Sequence, residues 1–311
     1  MDTPRLASLE QLVRAVKARG RPPRVAIAPC AEEFVLRAAA HAAAEGLAEP
    51  VFLGDLARTR AVAERLGLDL GAFECLDCPD DAQAVALAVD QFRQGRAQLI
   101  MKGLVSTSTV LKAVLVKDAG LVPEGGILSH VTVFDAPGRG QQRLMLLTDA
   151  GVNIRPTLQR KVEILRNALA VARRLGLAQP RAAMLAATEK VNYPAMPATL
   201  DADIIAKMAG TGEFGDALVA GPLALDLAVS PGAAAMKGVS SPVAGRADIL
   251  CTPDIESGNI LYKTLTSLMD MTLASVVVGS RVPVVVPSRG DSEHSKFASI
   301  ALAAYLAGGI Q

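Results

Sequence analysis

Two segments of this 311-residue chain join a strand-like run to residue types that bind anions. In residues 282–296, an apolar β-branched run stops at Pro287 and is followed by Ser288, Arg289 and Asp291. This pattern predicts a buried strand with polar side chains at its carboxyl end, where open α/β sheets bind ligands. A serine and an arginine there can hold a phosphate group by charge-assisted hydrogen bonds, or they can be a helix cap beside a solvated arginine.

The second segment, residues 101–109, follows another predicted strand. Lys102 ends that strand, and Ser106 and Thr107 open a helix. Lysine, hydroxyl and free backbone N–H groups at a helix start form an anion site, although an ordinary helix cap with a surface lysine has the same pattern. Asp149 repeats the ambiguity after a further strand, since it suits a turn as well as a ligand position. Three such turns favour a multiply phosphorylated ligand.

The elements that position these residues alternate between strands and helices, which predicts an α/β fold with a mostly parallel sheet covered on both faces. The predicted strands are Val25–Ala28, Val51–Leu53, Leu99–Met101, Val131–Phe134, Leu144–Leu147, Ala182–Ala187, Leu218–Ala220, Asp248–Cys251, Ser275–Gly279 and the run before Pro287. The predicted helices are residues 6–19, 31–46, 55–66 and 81–94, and an amphipathic helix between Pro156 and Gly176. Two Pro/Gly-rich stretches, 135–140 and 279–287, are the expected crossings between two domains. The predicted domains are 1–136 plus 276–311, and 137–275.

The composition excludes several classes of partner. With 51% hydrophobic residues, and 32 Lys and Arg against 31 Asp and Glu, the chain can form a large core and has no charge excess for nucleic acid or an anionic membrane. Aromatic residues are 3% and Trp is absent, so the usual base-stacking platform is missing. Four scattered cysteines do not make a disulfide framework, and no signal-like or membrane-spanning apolar run is present. We therefore expect a soluble, cytoplasmic protein.

Two familiar motifs occur in the wrong context. Gly210–Gly215 matches the dinucleotide-binding pattern GxGxxG, but a helical segment precedes it and a strand-like one follows, the reverse of what binding requires. Cys75 and Cys78 form a CxxC without a second pair or a partnering histidine, so we predict no metal site. His130 or His294 could belong to a Ser-His-Asp relay, but no nucleophile elbow accompanies them.

Longer motifs resemble one enzyme family. Residues 241–263, SPVAGRADILCTPDIESGNILYK, are similar to the hallmark segment of the phosphate acetyl/butyryl transferases. The resemblance spans essentially the whole chain and continues in Met101-Lys-Gly, Asp149-Ala-Gly-Val-Asn153, Gly221-Pro-Leu-Ala-Leu-Asp226 and Ser288-Arg289 with Asp291-Ser292. It is closer to the butyryl-type branch and to the transacylase half of hydratase-fused proteins.

This resemblance implies two doubly wound α/β domains with a cleft between them, similar to isocitrate and isopropylmalate dehydrogenases, in a homodimer or larger homo-oligomer. The implied reaction is a reversible exchange of a short acyl group, acetyl or butyryl, between phosphate and coenzyme A by direct thiol attack in a ternary complex. Coenzyme A is then a substrate, and neither a metal nor a permanently bound cofactor is expected.

The resemblance also implies roles for single residues. Ser288 would hydrogen-bond the reacting carbonyl or phosphoryl group, and Arg289 would bind phosphate and stabilise its departure. Acetyl-type members have an aspartate base seven positions after the serine, where this chain has Ser295. We expect Asp291 to accept the proton, unless it only caps the helix. The other nearby candidates are Glu293 and His294.

Further residues are expected to bind substrate. Glu256, Asn259 and Lys263 share one face of the hallmark helix, which either lines the cleft or is a solvated, salt-bridged face. Gly258 between them would let another backbone come close. The remaining predicted contacts to phosphate or coenzyme A are Lys102, Ser106, Thr107, Asp149 and Asn153.

Two other functions stay open at this point. One is a non-catalytic two-domain protein that binds small molecules. The other is a metal-dependent decarboxylating hydroxy-acid dehydrogenase, which would need clustered aspartates that the sequence does not show.

Overall fold

The computed structural model describes residues 4–137, 142–288 and 290–308 and confirms the α/β class. Its strands are β1 (Arg24–Ala28), β2 (Glu49–Gly54), β3 (Glu74–Asp77), β4 (Leu99–Lys102), β5 (Ser129–Asp135), β6 (Leu144–Thr148), β7 (Arg181–Leu185), β8 (Leu218–Leu223), β9 (Ile249–Cys251), β10 (Ala274–Val278) and β11 (Val284–Val285). Its α-helices are α1 (Leu9–Lys17), α2 (Glu33–Ala44), α3 (Leu56–Leu66), α4 (Asp81–Arg93), α5 (Thr107–Val114), α6 (Leu158–Arg174), α7 (Pro197–Gly210), α8 (Leu225–Val229), α9 (Pro231–Met236), α10 (Ile255–Lys263) and α11 (Glu293–Ala307). Short 3₁₀ turns lie at Leu70–Ala72 and Lys117–Ala119, and a π-helix follows α10 at Thr264–Leu268.

The chain divides into two compact units. The terminal unit comprises Leu9–Leu128 and the chain from Thr272 onward. The central unit comprises Ser129–Met271 and the chain up to Ser8.

These divisions lie a few residues from the predicted boundaries at 136 and 276. β5 belongs to the central unit because it pairs antiparallel with β6 along most of its length. The first described residues also belong there, because the Leu6 N–H donates to the Leu175 carbonyl at 2.9 Å and Arg5 pairs with Asp248.

The sheet of the terminal unit positions the anion-binding segments. Its strand order is β3-β2-β1-β4-β11-β10. All pairs are parallel except β10 with β11. β4 is buried along its whole length, as expected of a central strand of a sheet covered on both faces. α11 is also buried over most of its length.

The sheet of the central unit has the order β5-β6-β9-β7-β8. Only β5 and β6 pair antiparallel. The predicted amphipathic helix is α6, which begins at Leu158 because Thr157 caps it and accepts the Arg160 N–H. Its buried face, which includes Val162, Leu165 and Leu169, covers this sheet.

Two strands differ from the sequence-based expectation. The run before Pro287 forms only the two-residue strand β11, because Pro283 and Pro287 have no N–H to donate to a ladder. β3 was not predicted, since it is a half-exposed edge strand with little apolar signal. Within the described ranges, no helix has the length and apolar character needed to cross a membrane.

Candidate active site

The carboxyl ends of β4 and β11 bring the two anion-binding segments together. These strands are parallel neighbours, with Ile100 opposite Val284 and Met101 opposite Val285. Lys102 and Ser288 therefore leave the same edge of the sheet and line one cavity of about 140 Å³. We call it the lysine cavity; its lining is Glu32, Phe34, Val35, Lys102, Gly103, Leu104, Pro287, Ser288 and Lys296.

Gly103 makes the turn after β4 possible. A Cβ atom at this position would lie 1.7 Å from the Pro29 carbonyl oxygen, so no side chain fits without a backbone shift. The Gly103 N–H donates to the Ala28 carbonyl at 3.0 Å. The loop after β1 thus holds the segment that carries Lys102.

Lys102 is buried, which excludes its interpretation as a surface lysine. Its Nζ donates to the carbonyl oxygens of Gly103 at 3.2 Å and Val105 at 3.1 Å. Ser106 has the capping role, since its Oγ accepts the Thr109 N–H at 3.1 Å. Ser106 and Thr107 lie outside the lining of the lysine cavity, and their predicted substrate contacts stay a prediction.

Asp291 closes the turn that presents Ser288. The Ser288 N–H donates to Asp291 Oδ2 at 2.7 Å, and the Asp291 N–H donates back to the Ser288 carbonyl at 3.2 Å. The Asp291 side chain is buried beneath this turn. Arg289 lies outside the described residues, so its role stays a prediction.

The other candidates for the base have different surroundings. Ser295 is buried, and its Oγ accepts the Leu273 N–H at 3.0 Å, which ties α11 to the start of β10. Glu293 and His294 are exposed, and Glu293 faces His41 with 3.6 Å between Oε1 and Nδ1. Asp291 is therefore the buried carboxylate among these candidates.

Sequence reasoning missed Lys296 at this site. It lies in the first turns of α11, is only 3% exposed and lines the lysine cavity. Its Nζ donates to the Asp291 carbonyl and lies 5.2 Å from the ring centroid of Phe34. Little in the sequence marks it, because Lys296 follows the polar residues 293–295 in the first turn of α11.

Asp149 and Asn153 shape a loop in the central unit. Asp149 accepts the N–H groups of Gly151 and Val152 at 2.9 Å each, and the N–H and Nδ2 of Asn153 at 3.2 and 2.7 Å. Four donors fill the acceptor positions of one carboxylate, as expected of a turn residue. The predicted substrate contacts of Asp149 and Asn153 stay predictions.

The hallmark helix α10 lies against this loop. A Cβ atom on Gly258 would be 2.5 Å from the Asp149 carbonyl oxygen, so the predicted close approach is confirmed. Asn259 Nδ2 donates to the Ala150 carbonyl at 3.4 Å. Glycine and asparagine thus anchor α10 to the loop.

The two charged residues of α10 are more open. Glu256 is exposed and lies 3.8 Å from Arg155, as in the salt-bridged alternative. Lys263 Nζ lies 5.0 Å from the ring centroid of Tyr262. Their predicted contacts with substrate stay predictions.

Asp254 caps α10 at its N-terminus. Its carboxylate accepts the N–H of Ser257 at 2.9 Å and the Oγ–H at 2.7 Å. Burial of the carboxyl opposes ionisation, but the hydrogen bonds from Ser257 and the charge of Lys161 hold the Asp254 pKa below its usual value. The ionised cap favours the helix start.

The motifs set aside in the sequence have the following surroundings in the structure. α7 precedes and β8 follows the Gly210–Gly215 segment, so the predicted order of helix before and strand after this motif is confirmed. Cys75 and Cys78 are free thiols. Across the described ranges, no three His, Cys, Asp or Glu side chains are grouped to hold a metal ion.

A larger cavity of about 980 Å³ lies within the central unit. Its charged lining includes Arg5 and Arg143, which pair with Asp248 at 3.8 and 3.3 Å. Residues of the hallmark segment such as Arg246 and Asp248 line it, but none of the single residues to which the sequence analysis assigned a role does. We therefore centre the candidate site on the lysine cavity.

Comparison with known proteins decides the family. The family profile described as "Phosphate acetyl/butaryl transferase" matches residues 8–92 and 82–304. The chain belongs to the phosphate acetyl/butyryl transferase family. The predicted resemblance and the transferase class are confirmed.

Butyryltransferase and acetyltransferase relatives both align over nearly the whole of this transferase. It is 41% identical over 303 residues to a phosphate butyryltransferase of Clostridium acetobutylicum, covering 97% of this chain and 99% of the relative. It is 40% identical over 298 residues to a phosphate acetyltransferase of Rhizobium meliloti, covering 96% and 93%.

Solved structures agree on the fold. A branched-chain phosphotransacylase from Enterococcus faecalis V583 superposes with a TM-score of 0.80 at 35% identity, covering 92% of this chain and 99% of that one. A 4-hydroxythreonine-4-phosphate dehydrogenase from Klebsiella pneumoniae superposes with a TM-score of 0.55 at 14% identity, covering 94% and 99%. The second likeness concerns the fold alone.

Proposed function

We propose that this transferase catalyses the reversible reaction of a short-chain acyl-CoA with phosphate to give an acyl phosphate and coenzyme A. The observation that carries the proposal is the joint lining of one small cavity by Lys102 and Ser288, which parallel strands β4 and β11 bring together. A buried cation beside a hydroxyl suits a phosphoryl group. The relatives named for butyryl and acetyl transfer to phosphate support the reaction class.

In the direction of acyl-CoA formation, the reaction has two steps: the thiol attacks the acyl group, and the tetrahedral intermediate then breaks down. The sulfur of coenzyme A attacks the carbonyl carbon of the acyl phosphate, a C–S bond forms, and the thiol proton passes to a base. The C–O bond to phosphate then breaks, and phosphate leaves with the electron pair. Donors and cations at the developing oxyanion and the departing phosphate lower the barrier.

The terminal unit provides groups for each of these needs. We assign the Ser288 hydroxyl to the reacting carbonyl or phosphoryl oxygen, and Lys102 and Arg289 to phosphate. Asp291 is the proposed proton acceptor, in addition to holding the Ser288 N–H. Its burial next to the turn of Ser288 favours it over the exposed Glu293.

For coenzyme A we propose contacts from α10 and its surroundings. Asn259 and Lys263 offer an amide and a cation, and Glu256 lies on the same helix. Asp149 and Asn153 support these residues by fixing the loop against which Gly258 lies. The remaining proposed contacts are Ser106 and Thr107.

The proposed setting is the cytoplasm, with coenzyme A as substrate and no permanently bound cofactor. The four cysteines are free thiols, which suits a reducing compartment. We also propose a homodimer or larger homo-oligomer. Light scattering on the purified protein should then give a mass that is a multiple of 32.3 kDa, and a monomeric mass would contradict this part.

The reaction is tested by mixing the protein with coenzyme A and either acetyl or butyryl phosphate and following thioester absorbance. We expect phosphate-releasing turnover with at least one of the two. Coenzyme A binding without turnover of any short acyl phosphate would favour the non-catalytic binder. Oxidation of a hydroxy acid that depends on NAD or NADP would favour the dehydrogenase instead.

A further inference from the structure

The lysine cavity contains a second buried ammonium group, which the family resemblance did not assign. Lys296 is 3% exposed and Lys102 is 8% exposed, and both line the same cavity from different elements. Removing an ammonium from water is costly unless other groups replace its hydration. Two buried ammonium groups in one cavity therefore point to a ligand that replaces their lost hydration.

The contacts of Lys296 leave part of its donor capacity for another molecule. An ammonium carries three N–H donors. Among the residues that the structure describes, the acceptor that Nζ reaches is the Asp291 carbonyl, and the Phe34 ring gives a weaker cation–π contact at 5.2 Å. Within those same ranges, no carboxylate forms an ion pair with Lys296.

Glu32 and Asp291 each use a carboxylate oxygen to accept a backbone N–H. Glu32 lines the cavity, but its Oε2 accepts the Val35 N–H at 2.8 Å and caps α2. The Asp291 carboxylate accepts the Ser288 N–H. The lining therefore has two ammonium groups, Lys102 and Lys296, against one carboxylate, Glu32, and this positive balance favours an incoming anion.

The size of the cavity limits that anion. A volume of about 140 Å³ is well above what a single water molecule needs but far below a nucleotide-sized site. A phosphate-sized, multiply charged group fits such a space. Lysine ammonium groups bind phosphate as compact point charges.

We propose that Lys296 binds the phosphoryl group of the substrate together with Lys102, so that the two ammonium groups hold it next to the Ser288 hydroxyl. Lys296 also donates to the Asp291 carbonyl, and Asp291 holds the Ser288 N–H. The residue that binds the anion is therefore connected to the turn that presents Ser288. This inference rests on the proposed function and adds a phosphate-binding residue to it.

The test uses inorganic phosphate and coenzyme A as separate probes with Lys296→Gln. Calorimetric titration and the phosphate-dependent rise in melting temperature measure binding without turnover. We expect the phosphate affinity to fall and the KM for phosphate to rise at least tenfold, as for the loss of one charge-assisted hydrogen bond. The affinity for coenzyme A should change less than threefold. Lys296→Arg should recover part of the phosphate affinity. Lys112→Gln, at an exposed lysine of the same unit, should match the wild type.

The outcomes are separable. Unchanged phosphate affinity in a folded Lys296→Gln protein would overturn the inference and leave Lys296 as a structural residue. A selective loss of coenzyme A affinity would also overturn it. If Lys296→Gln does not fold, a crystal structure of the wild type with phosphate decides, because the inference requires a phosphate oxygen within hydrogen-bond distance of Lys296 Nζ. A protein that binds phosphate through Lys296 but transfers no acyl group would refute only the proposed function.

Discussion

At the scale of single residues, the Asp291 carboxylate has two possible uses that one pair of variants separates. Asn at this position can still accept the Ser288 N–H but cannot take a proton, whereas Ala can do neither. If Asp291 is the base, we expect both Asp291→Asn and Asp291→Ala to lose at least a hundredfold in turnover. Steady-state rates across pH are the measurement.

A different ranking of the two variants would be informative. If Asp291→Asn keeps nearly full turnover and the wild-type pH profile while Asp291→Ala is impaired, Asp291 only positions Ser288. His294→Ala and Glu293→Gln, at exposed neighbours, serve as controls. A changed pH profile in one of them would transfer the role of base to that residue.

Arg289 is the second residue whose role can be measured. Removing a group that stabilises charge in a transition state usually costs about a hundredfold to a thousandfold in turnover. We expect a loss of that order in Arg289→Ala, together with a raised KM for phosphate. Arg281→Ala, at an exposed arginine just before the same segment, should behave like the wild type. Wild-type rates in Arg289→Ala would refute the role.

At the scale of elements, the turn after β4 depends on one glycine. The Cβ atom of Gly103→Ala would overlap the Pro29 carbonyl, so the segment that carries Lys102 must move. We expect a loss of about 1–3 kcal/mol in unfolding free energy and a weaker phosphate affinity. Denaturant unfolding and calorimetric titration measure the two effects.

The matched control is Gly210→Ala, because a Cβ atom there meets no other heavy atom within 4 Å. It sits at the end of α7, where alanine favours helix over glycine. Its stability should equal or slightly exceed that of the wild type. Equal stabilities for the two variants would contradict the assigned role of Gly103.

The boundaries of the elements could be predicted where local signals exist. Both bounds of each helix from α1 to α4 lie within three residues of the predicted positions. Caps such as Asp55 and Asp80 mark helix starts in the sequence itself. The strand before Pro287 was predicted too long. Its apolar residues suit a strand, but hydrogen bonding to neighbouring strands limits it to Val284–Val285.

At the scale of the whole molecule, each unit contains one buried thiol that reports on its unfolding. Burial raises the pKa of Cys30 in the terminal unit to about 11 and that of Cys251 in the central unit to about 12. Because the thiolate is the reactive form, both thiols should be inert at pH 8 in the folded protein. Cys75 and Cys78 are partly exposed and should react first.

Thiol-reagent labelling followed by peptide mass analysis tests this expectation. In the folded protein at pH 8, only Cys75 and Cys78 should be labelled, and denaturant should release Cys30 and Cys251. Equal release midpoints would show that the units unfold together, and separate midpoints would show independent unfolding. Rapid labelling of Cys251 before unfolding would contradict the described core.

The sequence alone determined the α/β class, the family and the residue types suited to phosphate, because period, caps and motifs are local features of the chain. Tertiary structure decided which of these residues meet. Lys102 and Ser288 share a cavity because β4 pairs with β11, and strand order depends on packing between residues far apart in sequence. Lys296 became visible for the same reason, since the burial of a lysine in the first turn of a helix depends on what surrounds the helix rather than on its sequence.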